Sequence, residues 1–182
     1  MKQTVLVRYG AIPEVARFVH DLVSPPRRHE QVVIHSHRGL ELGTTLENVR
    51  PAVGAAPAGE PQQQDDLADE PAQRVLRSAT SEDCRRHAEL RREADSAFAD
   101  WQNRIREWKL ELELLDIEWT LDRQKLVLYV LGGRGAETTK LALQAAAAGM
   151  AVIEVQPVGP EGPLALPAAG GGCGSGGCGC HD

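Results

Sequence analysis

The sequence has no run of about twenty apolar residues, and its cationic residues near the start are not followed by an apolar stretch of signal-peptide type. A transmembrane helix needs the first pattern, and a secretion signal needs the second. Neither a membrane span nor an export signal is therefore expected, and the predicted location is cytoplasmic.

Aromatic residues are also scarce, with only three tryptophans, two tyrosines and two phenylalanines in 182 residues. The core must therefore be mainly aliphatic, and a chain of this length supports one ordinary core with tails. The formal net charge of -6 gives no overall attraction to nucleic acid. Direct RNA binding would need a local basic patch and is left open.

Cysteine is rare, and three of the four cysteines lie in the last ten residues. This distribution differs from the framework of a disulfide-stapled secreted fold. The glycine-rich tail instead offers four soft or borderline metal ligands: Cys173, Cys178, Cys180 and His181. They predict a tetrahedral zinc site or part of an iron-sulfur site, with a solvated low-complexity tail as the alternative.

The clearest pattern lies between Leu114 and Gly135. Apolar and polar residues alternate over 115–122, which is typical of a strand with one buried face. The continuous apolar run over 126–131 follows a polar turn and indicates the better buried partner of an antiparallel pair. The adjacent Leu114 and Leu115 break the alternation and indicate either a bulge or a switch from loop to strand.

Helices are predicted on both sides of this pair of strands. A hydroxyl at Thr80 or Ser81, followed by acids, favours the start of a long helix that ends near Trp108. Residues 136–148 predict a second helix, with Gly149 as its stop, and 150–156 predict a closing strand. This order predicts an α+β fold in which one long and one shorter helix pack on a mostly antiparallel sheet.

The first third of the chain predicts a small β unit. Residues 4–9 form a first strand, and a glycine at position 39 allows a tight hairpin between 31–37 and 41–47. Residues 14–23 fit either a strand or a short helix. The domain prediction is a β-rich part at 1–50, a flexible linker or long loop at 51–73, an α+β core at 74–157 and a flexible tail at 158–182.

Several other residues could have a functional role, but each also fits an ordinary structural role. Cys84 lies at the first turn of the long helix, where the dipole lowers a thiol pKa, but most such cysteines only pack. His35 and His37 share a strand face and could bind a metal, although exposed strand residues are favoured. Asp116 and Glu118 share a face as paired catalytic carboxylates would, but nothing in the sequence indicates a pocket around them.

Two features could bind phosphate: the Gly132–Gly135 turn and a group of four arginines on the long helix. The turn lacks the spacing of a Walker or dinucleotide motif, so a tight strand-to-helix connection is favoured. The arginines alternate with acids, which favours a solvated, salt-bridged face. They are Arg85, Arg86, Arg91 and Arg92.

Four segments, taken in order, resemble the polymerase-suppressor "PSP-one" C-terminal domain family, which includes the bacterial YaaT- and RicT-like regulatory proteins. These segments are Val7-Arg8-Tyr9-Gly10, Val32-Val33-Ile34 with the Arg38 to Gly43 hairpin, the Arg77 to Asp83 start of the long helix, and Leu115 to Asp122 with Lys125-Leu126 and Gly133-Arg134. After Arg134 the chain departs from the family pattern, and its glycine-rich tail replaces a longer cysteine-containing end.

The resemblance implies a non-enzymatic cytoplasmic regulator or adaptor that acts through protein partners, with a link to RNA processing or signalling complexes as a further expectation. No small-molecule substrate is evident. Family members form complexes that carry iron-sulfur clusters, so the resemblance also keeps open the alternative of a zinc or iron-sulfur module built on the cysteine tail. No catalytic residue is predicted, and an enzyme or nucleotide-binding protein using the Gly132 turn is the least favoured reading.

Overall fold

A computed structural model describes residues 3–49, 73–132 and 135–164. These residues form two sheets and two helices, so the predicted α+β class is confirmed. Within the described residues, no helix is both long enough and apolar enough to cross a membrane. Residues 51–72 of the linker predicted at 51–73 and the last eighteen residues of the predicted tail lie outside the described residues.

The first sheet is a closed barrel of five strands in the order β1-β2-β5-β3-β4. Its strands are β1 (Gln3–Tyr9), β2 (Glu14–His20), β3 (Gln31–His35), β4 (Leu40–Val49) and β5 (Arg74–Ser78). Alternate side chains fill the interior, as the period of two requires. The buried apolar side chains are Val5, Val7, Tyr9, Phe18, Val32, Ile34 and Val75.

Two local expectations for this region change in the structure. The segment after the first turn is a strand, β2, which pairs with β1 over its whole length. The sequence grouped β5 with the α+β core, but β5 pairs antiparallel with β3, and it pairs in parallel with β2 at Val19 and Arg74. The barrel therefore closes with a strand that lies far away in sequence.

The second sheet has the order β6-β7-β8-β9. Its strands are β6 (Glu113–Trp119), β7 (Lys125–Leu131), β8 (Val152–Gly159) and β9 (Gly162–Pro163). The register of β6 against β7 shifts between Leu114 and Asp116, so the break in the alternation is a bulge. β8 runs parallel to β7 and extends past the predicted end at Gln156, so residues 158–163 belong to the sheet rather than to a tail.

Both predicted helices are present and cover one face of this sheet. They are α1 (Ser81–Glu107) and α2 (Ala136–Ala147). The buried stripe of α1 packs on the leucines and valines of β6 and β7, and Leu141 and Ala145 of α2 complete the core. The stripe residues are Leu90, Ala94, Trp101 and Ile105.

The barrel rests on the opposite face of the second sheet. Ala11 and Ile12, in the turn between β1 and β2, pack against Val127, Tyr129 and Val158. The two sheets also meet through the backbone, because the N–H of Leu121 donates to the carbonyl oxygen of Leu40 at 2.7 Å. This junction positions the candidate site.

Candidate functional site

A groove of about 310 Å³ runs between the barrel and the unit formed by α1 and β6. The barrel wall consists of Arg8, Tyr9, Gln31, Leu42 and Thr44, with Gly10, Ala11 and Pro13 from the following turn. The facing wall consists of His87, Arg91, Asp116 and Glu118. The groove is therefore lined by charged and polar side chains of both signs.

Glu118 ties the end of the groove to the barrel. Its Oε2 accepts hydrogen bonds from the backbone N–H of Ala11 at 2.7 Å and from the hydroxyl of Tyr129 at 2.9 Å. The first bond joins residues on the two different sheets, so it fixes the width of the groove at this end. Since a carboxylate with two donors is well satisfied, Glu118 serves here as an acceptor that holds the two walls together.

Arg38 lies beneath the groove and is 1% exposed. Its Nη1 donates to the hydroxyl oxygen of Tyr129 at 3.0 Å, and its Nη2 lies 3.2 Å from a carboxylate oxygen of Glu41. The guanidinium also stands 4.9 Å from the ring centre of Tyr9, a cation–π distance. A buried charge is tolerated only with such partners, so these contacts explain how Arg38 lies inside the protein.

Gly10 allows this arrangement because it covers the guanidinium without a side chain. Its φ is +83°, and a Cβ on Gly10 would lie 3.0 Å from Arg38 Nη2 and 3.1 Å from Tyr129 Oη. Only glycine adopts this conformation at little cost, and only glycine leaves room for both groups.

Burial sets the protonation of the groups in this cluster. It raises the pKa of the Tyr129 hydroxyl, and the neighbouring Glu118 raises it further. Burial also raises the pKa of Tyr9, with Glu14 adding to the effect. Both tyrosines are therefore neutral hydrogen-bond donors at neutral pH.

The buried carboxyl of Glu41 is affected in the same direction. Burial raises the pKa of Glu41 to about 7 against the opposing influence of Arg38 and of the Ser36 hydroxyl.

The capped start of α1 positions the two groove residues that this helix contributes, His87 and Arg91. Thr80 and Asp83 form a capping box, and Asp83 also accepts two hydrogen bonds from Arg77, at 2.5 and 2.9 Å. One turn later, Cys84 Sγ donates to Oε1 of Gln31 on the barrel at 3.0 Å. These contacts hold the first turns of α1 against β3, so His87 and Arg91 face the groove.

Arg91 connects the helix to the edge of the second sheet. Its Nη1 lies 2.9 Å from Asp116 Oδ1, and its Nη2 lies 3.0 Å from Asp95 Oδ1. Arg85 pairs with Glu82 and Glu89 in the same way. For these two arginines the salt-bridged reading is confirmed.

The other residues singled out from the sequence lie in different places. His37 Nε2 is 3.9 Å from Glu154 Oε1 on β8, and burial lowers its pKa, so it faces the second sheet. Gly135 precedes α2 as its N-cap. No group of three or more potential metal ligands occurs within 3–49, 73–132 and 135–164. The predicted ligands Cys173, Cys178, Cys180 and His181 lie outside these ranges.

Two features of the site differ from the sequence interpretation. Asp116 and Glu118 do line a pocket, because the barrel packs against the face of β6 on which they lie. Arg38 was interpreted only as part of a turn, yet it is the buried centre of the junction. The pairing of Arg38 with Glu41 three residues later, inside the Arg-Gly-x-Glu-x-Gly hairpin, is the sequence signal that could have identified it.

Residues 73–132 match the family model described as the PSP1 C-terminal conserved region. No curated protein and no solved structure matches the chain significantly. The match begins just before β5, so it includes one barrel strand as well as α1, β6 and β7, and it supplies the whole wall of the groove that faces the barrel. The resemblance noted in the sequence is confirmed over this range, where residues 73–132 are similar to the PSP1 C-terminal conserved region.

Proposed function

We propose that this protein is a non-enzymatic regulatory or adaptor protein of the PSP1 C-terminal type, which acts in the cytoplasm through contacts with protein partners. One observation carries the proposal. The groove has one wall from the PSP1 region and the other from the barrel, and both walls present charged side chains. A mixed-charge groove at the junction of two sheets offers orientation and specificity to a docking protein.

The polar residues beneath the groove support an architectural role. Arg38, Tyr129 and Glu118 form a continuous chain of hydrogen bonds from one sheet to the other. Because these groups are engaged with one another, they hold the two walls at a fixed distance. A preformed groove binds a partner without a large cost of ordering its own walls.

The link to RNA processing or signalling complexes rests on the family resemblance. Direct RNA contact is the less favoured mode, because Arg85 and Arg91 on α1 are already paired with acids of the same helix or of β6. Such pairing lowers the number of cations free to neutralise phosphates. Protein contact is therefore the mode that we propose.

Site-specific photo-crosslinking tests this function. A photoreactive amino acid replaces the exposed Arg8 in the groove, and a matched control carries it at the exposed Asp100 on α1. In native lysate, under reducing and metal-replete conditions, we expect discrete protein adducts from position 8 that are absent from position 100. The proposal fails if position 8 gives no specific adduct and a pull-down with the unmodified chain also recovers no stable partner.

A second candidate function is a zinc or iron-sulfur module built on the tail. It is favoured by one observation, four soft or borderline ligands within Cys173 to His181. Anaerobic purification followed by metal analysis tests it, with serine at positions 173, 178 and 180 in the comparison protein. We expect bound zinc or iron in the unmodified chain and its loss in the variant; equal stoichiometry in both proteins rules the module out.

A further inference from the structure

We propose that the groove binds an extended peptide segment which adds as a new strand to the free edge of β6 and places a basic side chain beside Asp116. The proposal rests on the adaptor function above and specifies its mode of contact. It follows from three observations on β6: its position in the sheet, the groups that now cover its edge, and the charges beside it.

β6 is the edge strand of the second sheet, because its only sheet partner among the described strands is β7. At Ile117 the outward backbone groups are covered by side chains rather than by another strand. Asp116 Oδ1 accepts from the N–H of Ile117 at 2.8 Å, and Arg91 Nη1 donates to its carbonyl oxygen at 3.3 Å. Side-chain cover of this kind prevents unwanted edge pairing and is easily exchanged.

The covering side chains are partly open to solvent. Arg91 is 38% exposed and Asp116 is 24% exposed. A rotation of Arg91 about its flexible stem uncovers the carbonyl of Ile117 without any change in the backbone. A strand that arrives at this edge then supplies backbone groups in place of the two side chains, as in strand addition by peptides.

Backbone already reaches this edge at one end of the groove. The carbonyl of Leu40, at the start of β4, accepts from the N–H of Leu121 just beyond β6. Further along the two chain segments, Leu42 of β4 and Glu118 of β6 both line the groove. A volume of about 310 Å³ falls at the lower end of the range of roughly 300 to 1,000 Å³ that ligand pockets occupy.

The side chains around the edge define the sequence that fits. Asp116 loses its partner when Arg91 moves, so a lysine or arginine of the peptide would restore the ion pair. Strand side chains alternate between the faces, so the neighbours of that cation point to the opposite face, on which the partly buried Trp119 lies. Arg8 on the opposite wall disfavours further basic residues. A single basic residue flanked by apolar residues is therefore preferred.

The test uses a synthetic peptide with blocked ends, threonine-valine-lysine-valine-threonine, titrated into the full-length protein and followed by NMR. We expect saturable shifts at Ile117 and Trp119 and slower hydrogen exchange at the N–H of Ile117. Replacing the peptide lysine with glutamate, or using the D116N protein, should weaken binding about tenfold, the loss expected for one charge-assisted hydrogen bond.

Backbone methylation provides the decisive control, because only alternate N–H groups of an added strand face its neighbour. Methylating the peptide nitrogens in one register should abolish binding, and methylating the other register should leave it unchanged. Equal effects in both registers, shifts that map away from β6, or no saturable binding at millimolar peptide would each overturn the proposal. The R91A protein, with its edge uncovered, should bind more tightly.

The two proposals can fail separately. Adducts from position 8 together with no peptide binding would leave the adaptor function and remove strand addition as its mode. Peptide binding in the expected register without any cellular partner would support the edge site and contradict the adaptor function.

Discussion

Arg38 is the residue whose loss should affect the protein most. Replacing it with methionine keeps a long side chain in the core but removes the cation that pairs with the buried Glu41. It also removes the N–H group that donates to the hydroxyl oxygen of Tyr129. Breaking a buried pair in this way costs about 3 to 5 kcal/mol. We expect the R38M protein to lose that much free energy of unfolding in urea, measured by far-UV circular dichroism.

The control for this prediction is the R92M protein. Arg92 is exposed on α1, and its only side-chain hydrogen bond among the described residues is to the carbonyl of Ala88 in the same helix. Surface substitutions of this kind usually change stability by less than about 0.5 kcal/mol. A loss of under 1 kcal/mol in R38M would show that the buried cluster contributes little.

Gly10 permits a second comparison at a single position. In G10A the alanine would have to keep the positive φ of Gly10, and its methyl group would also crowd Arg38 and Tyr129. Gly149 has a φ of +66° as well, but a Cβ there would meet nothing within 4 Å. Strain alone costs roughly 1 to 2 kcal/mol, so we expect G149A to lose about that amount and G10A to lose clearly more. Equal losses in thermal or urea unfolding would contradict the crowding argument.

The start of α1 contains a carboxyl group whose contribution to stability depends on pH. Hydrogen bonds from Arg77 and from Thr80 hold the pKa of Asp83 well below its usual range. The folded pKa is lower than the unfolded value of about 3.9. The stabilisation from Asp83 is therefore fully present above the unfolded pKa and is lost as the pH falls through the folded pKa.

We accordingly expect the D83N protein to be less stable than the unmodified protein at pH 7. The difference should shrink as the pH falls below about 4, because the carboxyl of the unfolded chain then takes up a proton while the folded carboxyl, with its lowered pKa, stays ionised. Urea midpoints at pH 7, 4 and 2.5 measure this, with D100N as the control for loss of one exposed charge. A difference between D83N and the native protein that stays constant with pH would be inconsistent with the lowered pKa.

Local patterns in the sequence predict these elements well. The alternation over 115–122, the hydroxyl at Thr80 and the apolar stripe of α1 all correspond to the observed strand, cap and buried face. Each depends on neighbours a few residues away, where the periods of 2 and 3.6 apply. The break in parity at Leu114–Leu115 indicated either a bulge or a switch from loop to strand, and the structure shows the bulge.

The arrangement of the elements was not predictable in the same way. Strand periodicity identifies which face is buried but not which strand lies beside it, so the pairing of β5 with β3 could not be read from residues 74–78. The groove follows from that arrangement. Asp116 and Glu118 look like solvated strand residues until the turn after β1 is known to pack against their face.

The whole molecule should unfold as one unit if the junction is as strong as its contacts indicate. In hydrogen exchange followed by mass spectrometry, β1 in the barrel and β7 in the second sheet should then show the same free energy of opening. The Tyr129 hydroxyl is one of the hydrogen-bonded links between the barrel and the second sheet, since it accepts from Arg38 and donates to Glu118. The Tyr9 hydroxyl donates to Glu14 within the barrel.

These two tyrosines therefore form a matched pair. Y129F removes the hydrogen bonds that tie the buried Arg38 to the second sheet, and we expect its β1 and β7 segments to open with different free energies. Y9F removes a hydrogen bond inside one sheet, so its two segments should remain equal even though the whole protein is slightly weaker. If Y129F still opens as one unit, the remaining contacts are sufficient to couple the sheets: the hydrogen bonds from Ala11 to Glu118 and from Leu121 to Leu40, and the apolar packing of Ile12. The groove would then keep its shape without the hydrogen bonds of the Tyr129 hydroxyl.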